Sequence, residues 1–574
     1  MSSRINRLAR PGSTIYKGGA CTNCRIRKIK CDGARPSCNA CLRSSEQFQD
    51  CEYTNGGSTP SQMLEEQIAV LEARLQQLQQ QGPAGGQSSV PTEASGGVAL
   101  HNPYQAQPIN TVSSSSSETP FQDQIPAALR NQLFRIFISH APHIGFFLNI
   151  DRFANSALNV PATERGINAL LNTAYLWAVC LSSPTQNPDL KQYEAPFLKR
   201  ALEAITQGLS GTMSPGMEVS RATNVLCMIQ ASCLIARYFF HNVKILEGKY
   251  HMTTAMSLAI SAGLHAIRSS ELSSNTILPQ PVDVIEEGER INAFWAVLTL
   301  NYCWTAIDGS PSNVMLSARE GLRIDTPWPE DMEAYSSAGV QTIGSHTILR
   351  FLTDTSGTYD AASPTSWPTL NAKAAILFEQ ATQVGSKHWD NMISRSPNTA
   401  RSSMEFSTLD SILVRFIQST TNVGNHVPKK LLVTQCLAHA AYIRLHHPFV
   451  DQQVQSRQKV VDSATAAVRI MQKISDIEDT EMLDPIAGPI WMVVFQALVD
   501  ELKKLKTSPS WMGVTETEGL LRDAVQAMNK PAGASGCGMM SELLPGLYFV
   551  QGANGMSSGV QASRAGQVLA GLQG

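Results

Sequence analysis

Long apolar runs are missing from this 574-residue chain, and that absence excludes several classes of function. Two apolar stretches, 291–307 and 485–498, could be mistaken for membrane spans, but both fall short of the roughly 20 residues a bilayer demands and carry polar or proline interruptions. They read as buried core helices, and no membrane partner is expected. The N-terminal segment MSSRINRLARPGSTIYKGG is positively charged but lacks an apolar run of signal-peptide length, which argues against export. Neither a Walker loop, a dinucleotide loop nor an H-E-x-x-H helix occurs. The tempting G-x-S-x-G match, Gly555 to Gly559, sits in a Gly- and Ser-rich tail without the strand and helix that a serine nucleophile needs. His446 and His447 accompany no catalytic zinc spacing and read as satisfied core or turn histidines. An enzyme is therefore not expected. Acidic residues are scarce at the end of the chain, where Glu542 is the only one after 530, so no acidic activation segment is visible there.

Cysteine, by contrast, is concentrated. Six of the twelve lie within the first 51 residues, at Cys21, Cys24, Cys31, Cys38, Cys41 and Cys51, as two half-repeats, C-x2-C-x6-C and C-x2-C-x9-C. Paired spacing of this kind puts three sulfurs of each half within reach of one metal ion, for which zinc is the first choice. Two tetrahedral zincs need eight ligand positions, so with six sulfurs two must bridge. Pseudo-symmetry nominates the first cysteine of each half, Cys21 and Cys38. The competing reading is a disulfide framework of a small secreted domain, which the absence of an export signal disfavours. Cys180, Cys227, Cys233, Cys303, Cys436 and Cys537 are scattered singly and read as unpaired, mostly small core residues in a reducing compartment.

Charge is split the same way. The formal net charge is −2, yet residues 1–53 hold ten Lys plus Arg against four Asp plus Glu. The basic head is concealed by an acidic remainder, and its field is what a polyanion meets. Four of those cations, Arg25, Arg27, Lys28 and Lys30, fall between Cys24 and Cys31. With Arg4, Arg7 and Arg10 upstream, they also fit a nuclear import signal, which places the chain in the nucleus.

The run CTNCRIRKIKCDGARPSCNACLRSSEQFQDCEY resembles the DNA-binding module of fungal binuclear zinc cluster transcription factors. The likeness includes the cysteines, the basic run, Asp32 after the third cysteine and Pro36 in the loop joining the halves. It implies two zinc ions per chain and double-stranded DNA as partner, with a short helix opening at each C-x2-C and the first helix set over a CGG triplet in the major groove. By the same resemblance Lys28 takes the principal base-reading position and Arg27 an assisting one. Arg25, Lys30, Arg35 and Arg43 suit phosphates, because cations at guanine O6 and N7 discriminate bases whereas charge along the backbone only positions the module.

After the cluster, Thr59-Pro60-Ser61-Gln62 is a helix start, with an N-cap, proline at the first helical position and a capping-box glutamine. Leu64, Ile68, Leu71, Leu75 and Leu78 then recur at alternating steps of four and three, the seam of a short coiled coil that predicts a homodimer. Residues 82–120, rich in Gly, Ser and Pro, read as a disordered linker. From 121 to 528 apolar residues return at helical spacing and alternating strand patterns are hard to find. Parts of this region, AMSLAISAGLHAIRS at 255–269, Glu289-Arg290 before Phe294-Trp295, Gly309 to Ser312 and Leu445 to Phe449, are similar to the helical middle domain of the same family. That family often has arginine where Ser310 stands.

The expected architecture is a small two-zinc cysteine cluster (15–54) plus a short coiled coil (59–81), then the linker, a large all-α regulatory domain (121–528) and a flexible tail (529–574). The expected function is sequence-specific DNA binding in transcription regulation, with the transcription machinery or co-regulators as further partners. The rival is a zinc-bearing interaction protein that does not bind DNA, against which the basic run inside the cluster argues.

Overall fold

The computed structural model describes residues 20, 21, 24, 27–32 and 38–42 of the head, and in the remainder 126–159, 165–182, 187–210, 218–269, 278–310, 323–337, 346–361, 363–421, 427–477, 482–508 and 513–534. The chain divides into two compact units, 1–115 and 116–574. The expected coiled-coil seam, the linker and the tail beyond 534 lie outside the described residues, as do Arg25, Arg35, Arg43, Cys51 and Cys537.

The described residues of the second unit form helices joined by turns and short extended segments, without a β-strand. Its first half holds α1 (Ala127–His140), α2 (Ile150–Asn159), α3 (Arg165–Leu181), α4 (Glu194–Ser210), α5 (Glu218–His241) and α6 (Ile245–Ser261). A central helix, α7 (Val284–Asp308), leads through the short α8 (Met332–Ser337), α9 (Thr347–Thr353) and α10 (Thr358–Ala361) to the second half. That half comprises α11 (Trp367–Ile393), α12 (Thr399–Thr421), α13 (Lys429–His446), α14 (Val454–Asp476), α15 (Ala487–Thr507) and α16 (Val514–Ala534). Helix α7 packs on α5 and α6 on one side and on α11 on the other.

The sequence explains why α7 takes the centre. Asp283 caps it by accepting from the Glu286 N–H at 2.8 Å, and Glu286 reaches back to the Val282 N–H at 3.0 Å, satisfying donors the first turn leaves free. Gly309, at φ 71°, ends it in the left-handed conformation that glycine adopts without steric cost. Between these ends the helix is apolar on nearly all sides, so only a position enclosed by other helices covers it. Phe294, Trp295, Tyr302 and Trp304 are all buried, and Trp304 stacks on Phe240 of α5 at 3.7 Å between centroids. The stretch 485–498 forms the N-terminal part of α15, which is likewise mostly buried. Among the described residues one helical segment, Ala222–His241, has the length and apolarity of a membrane span, and most of it is buried.

Burial also catches a carboxyl. Glu379 of α11 is 3% exposed, and its oxygens accept only from the Gln380 and Gln383 amides, the former at 2.7 Å. Burial pushes it up to about 7. From the ordinary carboxyl range up to that value the unfolded chain is ionised while the folded one keeps its proton. The protonated side chain then loses ground, and stability falls with rising pH by about 3 kcal/mol across the window. Glu379→Gln is expected to unfold at the same denaturant concentration as the parent near pH 4.5 and at a higher one at pH 8. A constant offset at all pH values would refute this account.

Four of the scattered cysteines, Cys227, Cys233, Cys303 and Cys436, are buried, Cys180 is half-buried, and none of the five is disulfide-bonded. Burial pushes the Cys233 and Cys436 thiols up to about 12, which keeps them protonated and unreactive.

Candidate metal centre and nucleic-acid interface

In the first unit Cys21, Cys24, Cys31, Cys38 and Cys41 converge, all buried, with only Ala20 and Ala40 packed against them among the described residues. Sulfur separations are 3.8 Å for Cys21 with Cys38, 3.8 Å for Cys21 with Cys41, 3.5 Å for Cys24 with Cys38 and 3.8 Å for Cys24 with Cys41. Cys31 joins them, its sulfur lying within 4.8 Å of those of Cys21, Cys24 and Cys38. A disulfide requires about 2.0 Å, and none of the five is disulfide-bonded. Thiolates about 2.3 Å from a tetrahedral zinc stand about 3.8 Å apart, so the spacing fits zinc and excludes the disulfide framework for these five.

The two halves share one local geometry. The Cys24 N–H donates to the Cys21 sulfur at 3.4 Å, and the Cys41 N–H donates to the Cys38 sulfur at 3.4 Å. The second C-x2-C thus turns into a helical segment, Asn39–Leu42, and Cys24 of the first is itself helical. Burial raises the Cys38 thiol, but the Cys41 N–H and the neighbouring sulfurs outweigh it and bring it down to about 6. Burial and adjacent sulfurs push Cys24 the other way. Sulfurs this close cannot all ionise without a cation among them, and zinc supplies that charge.

The basic run is held by a backbone device that the spacing alone does not reveal. The Ile29 N–H bonds to the Cys24 carbonyl at 3.1 Å, the six-to-one bond of a Schellman closure, and Lys28 occupies the left-handed position at φ 51°. The chain reverses sharply there. Arg27, Lys28, Ile29 and Lys30 are all exposed while Cys24 and Cys31 on either side are buried. Asp32 joins the halves by accepting from the Asn39 N–H at 3.0 Å and from the Asn39 amide. Asp32 stood out in the sequence, whereas its partner Asn39 did not; a polar amide at the start of the second helix was the available signal.

Elsewhere the expected histidine roles become concrete. His446 lies between Ser456, at 3.1 Å from Nδ1, and Asp410, at 2.8 Å from Nε2, and Lys459 also pairs with Asp410 at 2.7 Å. This has the outline of a hydrolase triad, which no sequence motif indicated. The chemistry does not follow, because Ser456 is 2% exposed, donates to Gln453 at 3.0 Å, and lines neither cavity described below. The cluster ties α12, α13 and α14 together. His447 pairs with Asp500 at 3.5 Å. Glu289 accepts from the Asn149 N–H at 2.9 Å and so joins α7 to the start of α2, whereas Arg290 pairs with Glu286 within α7 and Ser310 donates to Asp308 at 2.7 Å at the end of that helix.

Comparison with known proteins agrees with the geometry. The profile of the fungal Zn(2)-Cys(6) binuclear cluster domain matches residues 19–57. The protein named "Putative transcription factor ecdB" of Aspergillus rugulosus is 42% identical over 59 residues, 10% of this chain and 10% of its own length. Transcription factor FBD3 of Fusarium pseudograminearum is 41% identical over 69 residues, 11% of this chain and 9% of its own. The likeness therefore spans about a tenth of these relatives, and no solved structure matches the chain. Spacing, sulfur geometry and profile converge on one conclusion: residues 19–57 are a fungal Zn(2)-Cys(6) binuclear cluster domain, which binds two zinc ions.

Proposed function

We propose that this chain is a nuclear transcription regulator that binds double-stranded DNA through its zinc-folded head, reads CGG-type triplets and acts as a homodimer. In this reading Cys21 and Cys38 bridge the two zincs and the other four cysteines, Cys51 included, are terminal ligands. The helical unit is the regulatory part that meets the transcription machinery or co-regulators. The observation that carries the reading is the exposed run Arg27 to Lys30, held in one conformation between buried metal ligands by the turn at Lys28. A solvated charged face has no need of such a constraint, whereas a base reader does.

Selection of bound sequences from a random duplex pool with the full chain, at one fixed salt concentration, tests it. Enrichment of CGG triplets supports the reading, and retention of the pool without enrichment favours the zinc-bearing interaction protein instead. Lys28→Ala is expected to cost roughly 1–3 kcal/mol and to relax selectivity at the guanines. Alanine keeps a Cβ at the same strained φ, so the backbone has no new reason to move. Lys30→Ala should weaken cognate and random duplex about equally and lower the salt slope by about one. Identical behaviour of the two variants on every sequence would show that the roles are misassigned.

A further inference from the structure

The larger cavity of the helical unit, about 230 Å3, lies where the ends of α7 and α13 meet α11 and α15. Its walls are largely apolar, with Ile307, Ile443, Pro448, Pro489, Met492 and Val493 facing a polar part made by Thr382, Ser386, Arg444, Gln496 and His447, the last already paired with Asp500. One cation enters this apolar space. Arg444 of α13 lines the cavity, its buried Nε has no hydrogen-bond partner, and its Nη2 donates to the Ile307 carbonyl at 3.3 Å. The carboxylates on adjoining turns are committed elsewhere. Asp500 serves His447, Gln496 and Lys503; Asp410 serves His446 and Lys459; Glu501 serves Arg457.

The other polar groups in the lining do not replace the missing anion. Thr382 and Ser386 donate their hydroxyl protons to the Phe378 and Thr382 carbonyls, at 2.9 and 3.0 Å, and so present lone pairs to the cavity. The Gln496 amide is spent on Asp500 at 2.9 Å. A Cβ on Gly385 would stand 3.0 Å from the Leu445 carbonyl and 3.1 Å from that of Arg444, so glycine lets α11 and α13 close on each other beside the cavity. A half-buried guanidinium whose enclosed Nε finds no acceptor costs the fold some stability, and that cost is recovered when an anion arrives.

The smaller cavity, about 60 Å3, offers no such opening, because its arginine, Arg237, is already paired with Asp484.

We propose that the larger cavity binds a small organic acid, with its carboxylate on the Arg444 guanidinium and its apolar body against the α13 and α15 walls. The fork of Nε and Nη protons suits a carboxylate, and the lone pairs of Thr382 and Ser386 discourage a second negative group. A monoacid with a hydrocarbon or aromatic body is the matching class.

The test uses the full chain with 4-phenylbutyrate and octanoate as probes and 4-phenylbutanol and octanol as their neutral counterparts, followed by calorimetry and by thermal unfolding. At least one acid is expected to bind about tenfold or more tightly than its alcohol and to raise the unfolding temperature. Arg444→Met should abolish that preference while unfolding at a higher temperature than the parent in the absence of probe. Arg444→Lys, which keeps the charge without the fork, should bind the acid more weakly than the parent and serves as the decisive variant should the methionine substitution fail to fold. Equal binding of acid and alcohol, undiminished acid binding by either variant, or no saturation by either acid at millimolar concentration would each overturn the proposal.

Discussion

Cys38→Ala is expected to cost the head both of its zinc ions and, with them, measurable sequence-specific DNA binding. A segment of this size has too little apolar material to hold itself together, and among the described residues only Ala20 and Ala40 pack against the five buried cysteines. Metal binding must provide the folding free energy, about 10–16 kcal/mol for a structural zinc. In the bridged arrangement Cys38 serves both ions, so its loss removes a ligand from each. Cys41→Ala, which removes a terminal ligand, should disturb one ion more than the other. Elemental analysis of the purified full chain should give two zincs for the parent and near none for the Cys38 variant. One zinc in the parent, or one firmly retained after Cys38→Ala, would exclude bridging at that sulfur. Chelation of the parent should abolish DNA binding, and added zinc should restore it.

Replacing Leu71 and Leu75 by polar residues is expected to remove the preference for paired triplets and leave weak binding to single ones. Both leucines sit on the expected seam, and a seam of this length depends on each apolar layer. Two heads joined through one coiled coil make the second contact intramolecular, which raises affinity by about 100-fold or more without any new contact to DNA. Residues 52–59 then limit the spacing. Eight linker residues reach about 28 Å when extended, so two diverging linkers span about 56 Å, or about 16 base pairs, before the width of the heads. Triplets set much farther apart should bind as single half-sites. A full chain that is monomeric at micromolar concentration on a paired site, or a double variant of unchanged affinity, would rule the dimer out.

How far the sequence reaches differs between the two units. In the head, cysteine spacing is itself a geometric statement, because a C-x2-C pair can face one ion only in a tight turn. The five described sulfurs gather accordingly. The turn at Lys28 was not legible, since positive φ in a lysine has no compositional signature. Helicity of the second unit was legible from the period of its apolar residues, because burying one face of a helix imposes that period regardless of its neighbours.

What the sequence determined by itself is therefore local: a zinc-folded head bearing a basic run, and a helical remainder. The tertiary structure decided what depends on residues far apart along the chain. It set His446 between Asp410 and Ser456, buried Glu379 among neutral partners, and left Arg444 of α13 in an apolar cavity built from α7, α11 and α15. Local spacing fixes which groups share a turn, but desolvation and pairing depend on which helices close over them, and no single segment carries that information.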